Sequence, residues 1–308
     1  MIISVSRRTD IPAFFSEWFM RRIRAGYCHV PNPFNAKQIA EVSLLPEDVD
    51  VFVFWSKNPA PLLPFLPELD ERGYRYLFLY TLNDYPAELE PGVPHLSERL
   101  VAFQRLAEHV GPQRVIWRYD PIILSNVTDC RFHEAVFSSL AGALGGLTKR
   151  VIVSIADFYR KTDRRLAALQ PQGLAFDKTP LQQPEFVQLL RQLKQIAESH
   201  HMHMQSCADE LAVAGIPAGA CIDGELLNSL WGIAGLAEDR HQRSTCRCVV
   251  SKDIGINDTC LHGCSYCYAT RSHRAALANV TRHESDSSVL IGPSLPRQHP
   301  PQQQLPLL

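Results

Sequence analysis

The sequence predicts an α/β protein: a (β/α)6-type partial TIM barrel whose cluster-binding loop lies at the C-terminal end of the chain. Three observations predict it. Apolar strand-like runs alternate with helical stripes through the first two thirds of the 308 residues, and strand-then-helix repetition argues a parallel sheet with right-handed crossovers. The runs are nearly all apolar, as parallel strands covered on both faces are. Polar residues rich in Arg and Asp follow each run, where an α/β barrel builds its active site. A flat doubly wound sheet is the competing arrangement.

Ile2 to Ser6 is the first strand, and a helix near Ser16 to Ala25 follows, closed by Gly26. Val49 to Trp55, Tyr76 to Leu82, Val115 to Tyr119, Val151 to Ala156 and a weaker run from His203 to Cys207 are the later strands. Leu62, Leu66 and Leu69 space a Pro-interrupted helix. Ser97 is placed to cap a cleaner one, with Leu100, Phe103, Leu106, Ala107 and Val110 on one face. Further helices are expected around Phe132 to Leu144, Phe158 to Leu169, from Pro184, around Leu226 to Leu230, and from Ala269 to about Ala278. The organisation expected is a barrel core over 1–210, a cysteine-rich segment over 211–284 packed on the barrel mouth, and a disordered Ser-, Pro- and Gln-rich tail over 285–308.

A hydrophobic fraction of 45% and a charged fraction of 20% are those of an ordinary globular protein. The net charge of −1 provides no global basic field, which disfavours a nucleic-acid partner. No apolar run approaches a membrane span, and the first residues lack the order of a signal peptide, so a cytoplasmic location is expected. In that setting the nine cysteines suggest metal or redox use rather than disulfides.

Cys260, Cys264 and Cys267 stand at C-x3-C-x2-C spacing, with Tyr266 before the third and Gly263 to turn the backbone. Iron–sulfur clusters take soft thiolate ligands. Three cysteines in one loop can hold three irons of a cubane and leave the fourth open for a bound molecule. Structural zinc is the alternative, with His262 or an upstream cysteine as fourth ligand. Cys207, Cys221, Cys246 and Cys248 are the right number for one closed site, a second iron–sulfur cluster or a zinc. They could also be ordinary buried cysteines, or one of them could complete the first cluster. Cys28 and Cys130 are expected to be packing residues.

The strand ends carry Arg7, Arg8, Thr9 and Asp10, then Ser56, Lys57 and Asn58, then Asn83 and Asp84, then Arg118 and Asp120, then Ser154 and Asp157, and finally Cys207, Asp209 and Glu210. Any one of these alone could be a helix cap or a surface ion pair. Together they predict a polar ring at one mouth, needing partners or a ligand. Arg118, Asp120, Arg7, Arg8 and Asp10 are the candidate catalytic residues, the arginines suiting a carboxylate or phosphate by bidentate hydrogen bonding.

Ser6-Arg7-Arg8-Thr9-Asp10, Trp117-Arg118-Tyr119-Asp120-Pro121, Ser251-Lys252-Asp253-Ile254-Gly255 and the stretch from Cys246 through Tyr268 resemble segments of an uncharacterised bacterial domain-of-unknown-function family. That family ends in a cysteine cluster similar to the one radical S-adenosylmethionine enzymes carry near their start. The resemblance implies that Cys260, Cys264 and Cys267 ligate a [4Fe–4S] cluster whose open iron chelates S-adenosyl-L-methionine. It implies that the Tyr266 backbone helps recognise adenine. It further implies reductive cleavage to methionine and a 5′-deoxyadenosyl radical that takes a hydrogen atom from a small-molecule substrate, with an electron donor such as flavodoxin or ferredoxin. The order is reversed relative to those enzymes, as in a circularly permuted barrel. No Gly-Gly-Glu segment is present to hold the methionine amino group, and Asp120 is a candidate substitute. Two rival classes remain: a zinc-braced binding protein without radical chemistry, and an iron–sulfur electron carrier or sensor.

Overall fold

The computed structural model describes residues 1–35, 37–243 and 245–297. In chain order its elements are β1 (Ile2–Val5), α1 (Ile11–Phe14), α2 (Ser16–Ala25), β2 (Tyr27–Pro31), β3 (Ile39–Ser43), β4 (Val51–Ser56), α3 (Leu66–Glu71) and β5 (Tyr76–Thr81). There follow α4 (Leu96–Val110), β6 (Val115–Ile122), α5 (Cys130–Leu144), β7 (Arg150–Ile155), α6 (Arg160–Ala167) and α7 (Pro184–Ser199). The last elements are β8 (His203–Cys207), β9 (Ala218–Gly219), α8 (Gly224–Trp231), β10 (Lys252–Asp253) and α9 (His273–Val280).

Eight strands form one sheet in the order β10-β1-β4-β5-β6-β7-β8-β9. Every pairing in it is parallel. All six strands expected from the sequence are present. The order never reverses as it does in a doubly wound sheet. β10 pairs with β1 through Ile3 and Lys252, so the chain's late strand lies beside its first. The two edge strands, β10 and β9, are not paired with each other among the described residues, and the sheet is open.

Strand alternation splits the side chains into two layers. Phe52, Phe54, Phe78, Tyr80, Trp117 and Tyr119 face α2, α4, α5 and α7 in the larger core. Stacked rings knit this larger core, with Phe54 4.7 Å from Phe78 and Trp117 4.6 Å from Phe137. The opposite face presents Ile2, Val51, Val53, Leu77, Leu79, Ile116 and Ile152, and residues from Cys207 to Val249, including α8, cover it. The segment expected on the mouth thus also fills the inner face.

Local chemistry explains most boundaries. α2 ends where Gly26 takes φ +78°, a left-handed conformation that glycine tolerates. Asp129 caps α5 by accepting from the Phe132 N–H at 2.8 Å. The expected Ser97 cap is corrected: His95 caps α4, its Nδ1 accepting from the Ser97 N–H. The last helix starts later than expected because Ala269 and Arg271 are tied to Asp258, leaving Ser272 as the cap.

Two features were not legible in the sequence. β2 and β3 form a separate antiparallel pair whose buried Cys28 has its thiol pushed up to about 12 by burial, as a packing residue would. The tail expected from Ser285 is also corrected. Ser287, Ser288, Val289 and Leu290 are buried, and the Ser288 carbonyl accepts from the His29 N–H at 2.7 Å. The Ser287 carbonyl accepts from Trp18 Nε1 at 2.9 Å. The remainder of that expected tail, 298–308, lies outside the described residues. No helix among the described residues is long and apolar enough to cross a membrane.

His133 shows how the outer core fixes a proton. Its Nε2 lies 3.0 Å from the Ile123 carbonyl, which can only accept, so Nε2 carries the hydrogen and Nδ1 accepts from the Tyr119 hydroxyl at 2.7 Å. Burial pushes its pKa down to about 4. An unfolded imidazole titrates near 6.5, so the unfolded state binds the extra proton; this contribution is intact above ~6.5 and is lost as pH falls towards 4. We expect denaturant unfolding of wild type to lose about 2 kcal/mol between pH 7 and pH 5 relative to His133→Asn, a difference in which other titrating groups cancel. Parallel pH profiles for the two proteins would remove His133 as the cause.

Candidate metal centre

The cysteine loop lies against the carboxyl ends of β1 and β4 and the connection after β5, and one carboxylate fixes it there. Asp10, 6% exposed, accepts from the Ala13 N–H at 2.9 Å, Ser56 Oγ at 2.7 Å, the Lys57 N–H at 2.7 Å and His262 Nε2 at 2.9 Å. It caps α1, holds the end of β4 and anchors the loop at once. His262 Nδ1 meets the Gly92 carbonyl at 3.2 Å, so both ring nitrogens have partners. This takes His262 out of the role of fourth metal ligand that the zinc alternative gave it.

Gly92 is the second anchor. Its N–H donates to the His262 carbonyl at 2.9 Å. A Cβ there would lie 2.7 Å from the Leu261 carbonyl oxygen and 2.8 Å from that of His262, both backbone atoms that cannot swing aside. Gly263, at φ +69°, makes the turn between Cys260 and Cys264. From the other side Arg165 on α6 donates to the carbonyls of Ser265, Cys267 and Thr270.

The three loop thiols share one electrostatic neighbourhood. Burial first, then Asp10, Cys267 and Cys264, push the Cys260 thiol up. Burial likewise pushes buried Cys264 to about 12, against the pull of Lys57. Buried thiols of this kind stay protonated unless a cation takes the proton's place. Cationic groups stand by: Lys57 near Cys264, and Arg165 near Cys267 and Cys264. Among the described residues, no group of three or more His, Cys, Asp or Glu side chains is placed to hold a metal ion as it stands. The donor set is nonetheless soft and gathered in one loop, which suits iron–sulfur or zinc.

Glu90 is the residue that sequence reasoning missed. It is 4% exposed. Its Oε1 accepts from Lys57 Nζ at 2.7 Å and from the Tyr266 hydroxyl, and its Oε2 has no partner among the described residues. Lys57 Nζ also sits 5.6 Å from the centre of the Tyr266 ring. The Glu90-Pro91-Gly92 run carries a turn signal, but nothing local ties it to a loop some 170 positions away. Arg165 was equally hidden, one of several basic residues on α6.

The strand-end ring is brought together in part. Two guanidinium groups lie near the Trp55 ring, that of Arg118 at 4.7 Å and that of Arg7 at 5.4 Å. Arg118 pairs with Asp120 Oδ2, and Ser154 donates to Asp120 Oδ1, so both oxygens of Asp120 are engaged. That corrects Asp120 as a free acceptor for an amino group. Burial opposes charge on Arg118, and the Asp120 carboxylate favours it. Arg118 Nε, Trp55 Nε1 and Thr9 Oγ1 are buried without partners among the described residues. Arg7 and Arg8 are held by backbone: the Arg7 N–H donates to Asp253 Oδ2 at 2.7 Å, and Arg8 Nη1 reaches the Gly255 carbonyl at 3.3 Å. Asp209 accepts from the Ile155 N–H at 2.9 Å, and burial raises it to about 6.

The other four cysteines form a separate group. Cys221 Sγ lies 2.9 Å from Cys207 Sγ, and Cys248 shares their buried cluster, with Cys246 packed against it. None of them joins the loop thiols. A cavity of about 490 Å³ lined by Arg150, His203, Asp223 and Glu225 lies at the amino ends of β7 and β8, and shares no residue with the loop.

Fold and site together define an open parallel α/β protein with a cysteine loop at the carboxyl edge of its sheet. Residues 2–269 match the family described as Domain of unknown function (DUF1848), and the chain belongs to that family. Comparison with curated proteins returns no match.

The close approach at Gly92 has a measurable consequence. Gly92→Ala should destabilise the protein by about 1–3 kcal/mol, the usual cost of overpacking, and should make Cys260, Cys264 and Cys267 more reactive to alkylation. A chemical-denaturation midpoint unchanged from wild type would show that the loop does not depend on this contact.

Proposed function

We propose that the protein is a cytoplasmic iron–sulfur enzyme of the radical S-adenosylmethionine type, built on an open, partial (β/α) barrel and acting on a small-molecule substrate. The observation that carries the reading is that Cys260, Cys264 and Cys267 sit in one loop and influence one another electrostatically, while His262, in the same loop, has both ring nitrogens committed. Three thiolates without a fourth protein ligand suit a cluster with one open iron better than a closed structural zinc. When bound, a [4Fe–4S] cluster with S-adenosyl-L-methionine would supply the electron for reductive cleavage of the sulfonium, drawn from a donor such as flavodoxin or ferredoxin.

The chain's own residues hold, orient and exclude water. Asp10 and Gly92 fix the loop against the sheet. Lys57 and Arg165 offset thiolate charge. Glu90 keeps one carboxylate oxygen for a cationic group, and replaces Asp120 as the acceptor for the methionine amino group. Arg118 and Arg7, both near the Trp55 ring, suit an anionic group of cofactor or substrate. Arg8, drawn towards the Gly255 carbonyl, braces the turn after β1.

Anaerobic purification with iron and sulfide counted, and paramagnetic resonance of the reduced protein with and without S-adenosyl-L-methionine, tests this. We expect about four irons per chain in the loop, a signal that shifts on adding S-adenosyl-L-methionine, and loss of both in the Cys260→Ala/Cys264→Ala/Cys267→Ala variant. A colourless protein after reconstitution would sink the reading, and a cluster signal indifferent to S-adenosyl-L-methionine would make the protein an electron carrier or sensor. Glu90→Gln should keep its iron but bind S-adenosyl-L-methionine roughly 10–100-fold more weakly, as expected when a buried charge-assisted contact is lost. Unchanged affinity would remove Glu90 from the site.

A further inference from the structure

We infer that Cys207, Cys221, Cys246 and Cys248 form a closed site for a single tetrahedral zinc ion that fastens the 220–249 segment to the inner face of the sheet. The proposal is independent of the reading of the Cys260, Cys264 and Cys267 loop.

The four positions come from three separate stretches. Cys207 ends β8, Cys221 follows β9, and Cys246 and Cys248 lie on the irregular stretch before β10. The fold brings them together: Cys207 and Cys221 stand at 2.9 Å, and Cys248 lies in the same buried cluster with Cys246 packed against it. Cys207, Cys221 and Cys248 are buried, and Cys246 is half-buried at the rim. Their surroundings are largely apolar, with Ile116, Ile152, Ile222, Leu227 and Val249 in the same cluster.

Plain packing of buried cysteines does not account for this arrangement. Thiols packed as small apolar groups do not approach to 2.9 Å; that separation is longer than the ~2.05 Å of a disulfide and shorter than unbonded contact. A cation between the sulfurs removes the conflict. With zinc–sulfur bonds of about 2.3 Å, the sulfurs of a tetrahedral tetrathiolate stand about 3.8 Å apart, so the group has only to open slightly. A cubane spreads its thiolates over four different irons and would need this compact group to separate much further.

The surroundings also suit thiolate ligands. The Ile222 N–H lies 3.4 Å from Cys248 Sγ, the backbone contact that orients and stabilises a metal-bound sulfur. Arg118 lies near Cys207 and Cys221 and offsets the −2 charge that a zinc tetrathiolate carries. Asp239 N–H to the Cys248 carbonyl at 2.9 Å and Val249 N–H to the Ile222 carbonyl at 3.1 Å complete the brace. Arg118 also reaches Asp120, so the same site steadies one wall of the mouth.

The test is the zinc content of the full-length protein after growth with zinc sulfate, in wild type, in Cys246→Ser/Cys248→Ser, and in the Cys260→Ala/Cys264→Ala/Cys267→Ala variant. We expect about one zinc per chain in wild type and in the loop variant, and at least a tenfold loss in the double Ser variant. Where the double variant fails to fold, alkylation of wild type serves instead: Cys207, Cys221, Cys246 and Cys248 should resist iodoacetamide until a chelator is added, then label together. Three results would overturn the inference. The first is a zinc-free wild type whose four thiols label freely. The second is a Cys207–Cys221 disulfide in the peptide map. The third is iron rather than zinc lost from the double variant. Failure of the iron–sulfur reading at the loop leaves the zinc count in the loop variant unchanged, so the two can fail separately.

Discussion

The Asp10 carboxylate is the constraint on which the rest of the site depends. A buried carboxylate is costly unless its oxygens are satisfied, and here four donors from three parts of the chain satisfy them. The cap of α1, the end of β4 and the cysteine loop are therefore not independent elements. Moving any one of them leaves a charge in an apolar place with fewer partners. The separation of 252 positions between Asp10 and His262 shows how far the constraint reaches.

A second carboxylate does similar work at the edge of the sheet. Asp253 accepts from Ser4 Oγ, Ser6 Oγ, the Arg7 N–H and the Gly255 N–H. It joins β10 to β1 by side chain as well as by backbone. Gly255 has no room for a Cβ because the Ser6 side chain fills that space. The late return of the chain thus lands on the first strand in one register, which delivers the cysteine loop to the carboxyl end of the sheet.

The two cysteine groups illustrate different uses of sulfur. The loop group lies between Lys57, Arg165 and Glu90, with charged and polar neighbours and an unpartnered carboxylate oxygen, as a place for a bound molecule would be. The other group is packed among aliphatic side chains, with Cys246 half-buried at its rim. Arg118 stands between the mouth and this group, paired with Asp120 on one side and near Cys207 and Cys221 on the other. Its position explains why a residue on a buried strand carries a charge at all.

By itself the sequence determined the α/β class, the six main parallel strands and most of the helices, because these rest on local periodicity and short-range caps. It also determined the C-x3-C-x2-C loop, since those ligands are neighbours along the chain. Tertiary structure alone decided what long-range contacts create. Asp10 became an anchor rather than a free acid, and Asp120 lost its free oxygens to Arg118 and Ser154. Glu90, Gly92 and Arg165 joined the loop from distant segments, and the 286–290 stretch packed on Trp18 and His29 despite a polar composition. In each case the deciding contact is a hydrogen bond or close approach between residues far apart in sequence, and no local pattern encodes it.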